Sequence, residues 1–257
     1  MTTAANVPSW LGVAASLSLI LLAGVVAWRT RLGITRELMI VTVRAFAQLA
    51  AVGLLLGVVF DYGGLPAAFG WLAVMAVIAG QVAGRRAAGL PGSRRNATIA
   101  IGVGVVVTMG VLLALRIIDS TPTVLIPVGG MVVSGAMVAT GVTLRRVRDD
   151  ARSSRPEIEA RLALGLSARD AFAPTRRDAV RTALIPSMDQ TKVVGLIALP
   201  GAMTGLILAG VAPLAAIRYQ IVVMYMLLSA AIVAATLAAR LTERDLFDQA
   251  HRLHPLD

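Results

Sequence analysis

Apolar runs as long as a bilayer's hydrocarbon core recur along this sequence, at 10–28, 38–60, 66–84, 97–116, 122–144, 184–211 and 214–239, separated alternately by arginine-bearing segments and by short loops without basic residues. A helix needs about 20 residues to cross such a core, and in lipid its backbone groups must be satisfied within the segment. No run alternates polar with apolar residues as a barrel strand does. The pattern predicts an all-α polytopic membrane protein of about seven transmembrane helices, forming one transmembrane domain over 1–257. Composition points the same way. Of the 257 residues, 57% are hydrophobic and 15% charged, with a mean hydropathy of +0.80, more apolar surface than a single soluble core can hide.

A net charge of +10 would suggest a nucleic-acid partner in a soluble domain. Here the basic residues sit at 29–36, 85–95, 145–181 and from 240 onward, with only Arg44, Arg116, Lys192 and Arg218 elsewhere. That is how an inserted helical protein sets its topology, so the partner is the lipid bilayer and no nucleic acid is expected. The basic loops are placed in the cytoplasm, and the short loops around Asp61, Asp119 and 211–213 outside. The N terminus is then outside and the C terminus inside, as an odd number of spans requires. The first run has no basic stretch before it and is followed by Arg29 and Arg31, the reverse of a secretory signal, so it is expected to be retained. Trp10 and Trp28 bracket it as interfacial aromatics do.

Several chemistries lack their residues. There is no cysteine, and His251 and His254 stand alone in the tail, short of the ligands a metal site needs. No Gly-x-x-x-x-Gly-Lys-Ser/Thr loop is present to cradle nucleotide phosphates. Nor is there a Ser/His/Asp set or a His-Glu-x-x-His. The chain is expected to be no enzyme and to bind no cofactor itself, so active transport would draw on a partner or an ion gradient.

Residues 145–183 form the only sizeable polar segment, too short and too charged for a core of its own. It predicts a cytoplasmic coupling segment of two helices. Pro156 starts the first, Gly165 ends it, and Ser167-Ala-Arg-Asp170 is a capping box that opens the second. Beyond it, Asp189 and Lys192 share a helix face at i, i+3 near the start of the sixth run, and Lys192 is the only lysine in the chain. Such a pair can serve function, or simply lower its own insertion cost as a structural brace. Arg44 and Gln48 share a face of the second span, with Glu37 two turns earlier, and that stripe must face protein or water.

Pro200, Gly201, Met203 and Gly205 interrupt the sixth run, and Pro127, Gly129, Gly130 and Met131, followed by Ser134, Gly135 and Met137, interrupt the fifth. Two broken helices at similar depth suggest a gate or binding site. Gly80/Gly84 and Gly53/Gly57 repeat the glycine spacing, so tight helix packing explains the same residues. Met131, Met137 and Met203 are the thioether candidates for a translocating metal, although methionine is also an ordinary filler of helix interfaces.

The Glu159-Ala160-Arg161 triplet with Gly165 resembles the Glu-Ala-Ala-x-x-x-Gly signature of ABC-transporter permeases. More specific are Ile126-Pro-Val-Gly-Gly-Met131, Leu162-Ala-Leu-Gly-Leu-Ser167, Ala183-Leu-Ile-Pro-Ser-Met-Asp189-Gln-Thr-Lys192, Leu199-Pro-Gly-Ala-Met-Thr-Gly-Leu-Ile-Leu-Ala-Gly210 and Ile217-Arg-Tyr-Gln-Ile-Val-Val223, together with Arg44-Ala-x-x-Gln48-Leu. These closely resemble the FetB-type iron-export permeases, which are related to plant aluminium-tolerance transporter subunits. The resemblance implies two copies of this chain in the bacterial cytoplasmic (inner) membrane, paired with a separately encoded ABC ATP-binding subunit that carries the ATP and Mg. It also implies iron or metal efflux and resistance to oxidative stress. In this reading Glu159, Ala160, Arg161, Gly165, Ser167 and Asp170 couple to the ATPase, while Asp189, Lys192, Arg44, Gln48, Pro200, Gly201, Met203 and Gly205 belong to the path or its gate. The alternatives are an organic cargo such as a nucleotide sugar, or a gradient-driven secondary carrier with Asp189/Lys192 as a proton relay.

Overall fold

A computed structural model describes residues 9–59, 63–248, 250 and 252–254; Asp61 and His251 lie outside the described residues. The described chain is helical: α1 (Trp10–Arg29), α2 (Thr35–Val58), α3 (Gly64–Arg85), α4 (Ser93–Ala114), α5 (Pro122–Ser153), α6 (Arg155–Ala163), α7 (Ala168–Val193), α8 (Gly201–Leu208) and α9 (Pro213–Leu246). Six of them, α1 to α5 and α9, are long and apolar enough to cross a membrane. The protein is a polytopic helical membrane protein.

Close approaches between helices set their directions. Gly80 lies against Thr98 and Gly84 against Arg94, so α3 and α4 are antiparallel. Gly129 meets Leu72 and Gly141 meets Ala83 and Arg86, so α5 runs parallel to α3. Gly104 meets Ala230 and Ala234 while Arg95 pairs with Asp245, so α9 is antiparallel to α4. The ends of α3, α5 and α9 and the starts of α4 and α7 therefore gather at one end of the bundle, together with most of the arginines. We call it the basic end.

The core is built from small side chains. Ala230, Ala234 and Ala238, with Ala231, Ala235 and Ala239, form two adjoining i, i+4 rows of α9 that are almost wholly buried against α4, α5 and α7. Without a hydrophobic drive between helices in lipid, close backbone approach over small residues is what maximises van der Waals contact.

Two expectations need correction. Residues 184–211 do not form one spanning helix. α7 is a single rod that begins at the basic end and stops at Val193, and the chain then turns through 194–200 before the short α8. Gly195 at φ +78° and Pro200, which cannot continue a helix, account for the stop. Because α9 starts at the far end, α7, this turn and α8 together carry the chain from one end to the other. The fifth span, by contrast, is not interrupted. Pro127 sits in the second turn of an unbroken α5, where its missing N–H removes one early hydrogen bond.

The α1–α2 hairpin stands apart. α1 and α2 pack mainly on each other, with Leu56 and Val59 at the far end touching the core, and the spanning window of α2 has none of its residues buried.

Candidate functional site

The polar segment at the basic end folds into a helical hairpin held by short-range chemistry. Gly165, at φ +88°, ends α6 in a Schellman motif, its N–H donating to Leu162 O (2.9 Å) and that of Leu166 to Arg161 O (3.2 Å). Ser167 caps α7, accepting from Asp170 N (3.2 Å) and donating its hydroxyl to Asp170 Oδ2 (2.7 Å). Arg155 donates to Glu159 at 2.7 Å, and Arg161 lies 3.6 Å from Glu157 while also donating to Ala171 O at 3.2 Å, which ties α6 to α7. Beneath the hairpin Ile158 and Phe172 are fully buried, and Phe172 meets Phe247 edge-on with centroids 5.8 Å apart. At its tip Leu164 is 80% exposed. Glu159 and Gly165 line an open cleft of about 660 Å³ shared with Arg252 and Leu253.

Behind the hairpin α7 is clamped to the bundle. Arg176 donates to Glu243 of α9 in a largely buried ion pair. Nearby, Asp245 accepts from Arg95 (2.9 Å) and from Asn96 (2.8 Å) of α4. Sequence reading missed these contacts because the partners are 67 and about 150 residues apart. The only local hint was two acids, Glu243 and Asp245, among arginines in the last two turns of a long apolar helix. Just beyond α9, Asp248 accepts the backbone N–H and the guanidinium of Arg252, and that backbone bond above all holds its carboxyl below the usual 3.8. Arg169, Arg176, Arg240 and Arg244 meet Glu243 and Asp248 around a cleft of about 430 Å³.

At its other end α7 carries the Asp189–Lys192 pair, 3.0 Å apart, with side chains 58% and 71% exposed. The turn that follows is closed by a Val194–Ala198 bridge, with Gly195 N donating to Ala198 O at 3.0 Å. Leu196 and Ile197 at its crest are almost fully exposed. Pro200 is the N-cap of α8, and Gly201 and Gly205 have no neighbour within 4 Å of where a Cβ would stand.

The chain brings some of the sequence-predicted residues together and leaves others apart. Glu159, Ala160, Arg161, Gly165, Ser167 and Asp170 converge on the hairpin. Arg44 and Gln48 are exposed on α2, away from Asp189 and Lys192, and form no hydrogen bond or ion pair among the described residues. Met131 and Met137 are half-buried against the core from α5, while Met203 lies on α8, which packs only on α9. The three thioethers are not gathered at one point. Among the described residues no group of three His, Cys, Asp or Glu side chains could hold a metal ion.

Comparison with known proteins adds the family. A chain of rice, "UPF0014 membrane protein STAR2", is 41% identical over 93% of this chain and 84% of its own length. "Protein ALUMINUM SENSITIVE 3" of Arabidopsis thaliana is 37% identical over 93% and 88%. The "Probable iron export permease protein FetB" of Escherichia coli is 34% identical over 94% and 93%. No solved structure matches. Residues 10–247, from the first helix to the end of the last, match the profile of the uncharacterised protein family UPF0014, and this membrane protein belongs to that family.

Proposed function

We propose that this chain is the permease subunit of an exporter of iron or a related metal ion, working as a homodimer with a separately encoded ATP-binding protein in the bacterial cytoplasmic membrane. The arginine-rich end faces the cytoplasm, which puts the C terminus inside and the N terminus outside. ATP and Mg bind on the partner subunit.

The observation that carries this reading is the α6–Gly165–α7 hairpin with an exposed leucine at its tip. It is a rigid projection on the charged face, suited to a groove on a partner protein. Its second helix does not end there. α7 runs 26 residues, about 39 Å, as one helix from the hairpin to Asp189 and Lys192, with Pro174 and Pro186 inside it. A push on the hairpin is thus delivered as a rigid-body displacement to the 194–200 turn, where a glycine in the left-handed region and a proline allow the backbone to hinge. Arg176–Glu243 sets the pivot against α9. The name of the bacterial relative supplies the cargo class and the direction of transport.

Reconstitution tests it. Proteoliposomes holding this chain and its ATP-binding partner should move Fe(II) in an ATP-dependent way, and Asp189→Asn should abolish movement while the complex remains assembled. A stable, ATP-hydrolysing complex that moves no metal would shift the cargo to an organic ion. Transport that follows a proton gradient without the ATPase would make the chain a secondary carrier.

A further inference from the structure

α2 poses a physical problem that the single chain does not solve. Its hydropathy marks it as a spanning helix, yet Arg44 and Gln48 project from a face that nothing among the described residues covers. A guanidinium left toward lipid in a spanning segment is costly to insert, so such side chains face protein or water. On α7 the complementary situation holds: the side chains of Asp189 and Lys192 are 58% and 71% exposed, and among the described residues each pairs only with the other.

The two patches match in depth, direction and charge. Arg44 lies eight residues past Arg36, and Asp189 eight residues past Arg181, so each sits about 12 Å from the last basic residue preceding it. α2 and α7 both run from the basic end toward the far end. A two-fold axis along the membrane normal preserves that direction, so α2 of one copy and α7 of the other lie parallel. In parallel register each helix also carries a second polar residue about one turn deeper on the same face, Gln48 four residues beyond Arg44 and Lys192 three beyond Asp189. A carboxylate accepts several hydrogen bonds, so Asp189 can keep Lys192 and take a second cation.

We infer that α2 docks on α7 of a second copy of this chain, Arg44 pairing with the partner's Asp189 and Gln48 Oε1 accepting from the partner's Lys192. The contact occurs twice in the symmetric dimer. Each Asp189–Lys192 pair at the end of the α7 rod is then completed by the α1–α2 hairpin of the other copy, which links movement of the rod to movement between protomers. The inference rests on the homodimer proposed above and adds its contact surface.

The chain contains no cysteine, so introduced thiols report on themselves alone. Two differently tagged full-length chains, one Gln48→Cys and one Lys192→Cys, are expressed together with the ATP-binding partner, and membranes are oxidised. A covalent species carrying both tags is expected. Arg44→Glu in the Gln48→Cys chain should lower its yield by roughly tenfold or more, because like charges then face each other, and Asp189→Arg in the other chain should restore it. The double variant Gln48→Cys/Lys192→Cys distinguishes the remaining occupants. A cross-linked monomer means that α2 closes on α7 of its own chain, and no cross-link means that lipid covers it; either result overturns the contact. Light scattering of the detergent-purified complex measures the copy number separately. A dimer without the 48–192 link removes this interface only, whereas a monomer removes the homodimer reading as well.

Discussion

Replacing Gly80 by alanine should destabilise the bundle, while the same change at Gly205 should not, although both glycines belong to a Gly-x-x-x-Gly pair. A Cβ on Gly80 would stand 2.2 Å from Thr98 Oγ1 and 2.5 Å from Thr98 Cα. The hydroxyl can rotate away, but the Cα is backbone, so α4 must retreat by roughly 1 Å to regain an ordinary contact, and the atoms lining the gap lose part of their dispersion energy. Overpacking of this kind costs about 1–3 kcal/mol, against about 0.5–1 kcal/mol recovered because alanine favours the helix. The net expectation is a loss of about 1–2 kcal/mol. A Cβ on Gly205 meets nothing within 4 Å, so Gly205→Ala should gain a few tenths to about 1 kcal/mol. Thermal unfolding of both variants in one detergent measures the difference directly. At roughly 2–4 °C per kcal/mol for a chain of this length, Gly80→Ala should melt several degrees below Gly205→Ala. Equal melting temperatures, or the reverse order, would refute the assignment of α3–α4 as the tight contact.

Leu164→Asp should leave the melting temperature of the isolated chain unchanged, since Leu164 is 80% exposed, but should weaken co-purification with the ATP-binding partner; unchanged co-purification would remove Leu164 from the docking surface. Arg176→Met leaves Glu243 largely buried without its cation and should cost about 3 kcal/mol or more, whereas Arg176→Met/Glu243→Met should cost less than the first change alone, as a double-mutant cycle on unfolding would show. Ser167→Ala removes the cap of α7 and should lower stability by about 1 kcal/mol, with Ser167→Asp restoring most of it in the same melting assay.

Transmembrane character, the helical class, most helix boundaries and the two-helix hairpin were legible in the sequence because each has a local cause. Hydropathy over about 20 residues, arginines at the run ends, Gly165 as a left-handed C-cap and Ser167 as an N-cap all act within a few residues of themselves. At 184–211 Pro200 and Gly201 pointed to an interruption, but not to a helix that already stops at Val193 with Gly195 in the left-handed region of the turn that follows. Which glycines are contacts was also beyond local reading. A Cβ on Gly80 or Gly84 would run into α4, whereas one on Gly201 or Gly205 would meet nothing within 4 Å, and the difference lies in the direction each helix presents to its neighbours. The clamp of Arg176 to Glu243 and of Arg95 and Asn96 to Asp245 joins residues far apart in sequence, so no spacing rule could find it. The sequence alone determined that this chain lives in a bilayer, which end is basic and which residues are costly there. Only the tertiary structure decided which of those residues the chain satisfies by itself, as it does Glu243, and which, like Arg44, it leaves open, because burial depends on neighbours brought together by folding.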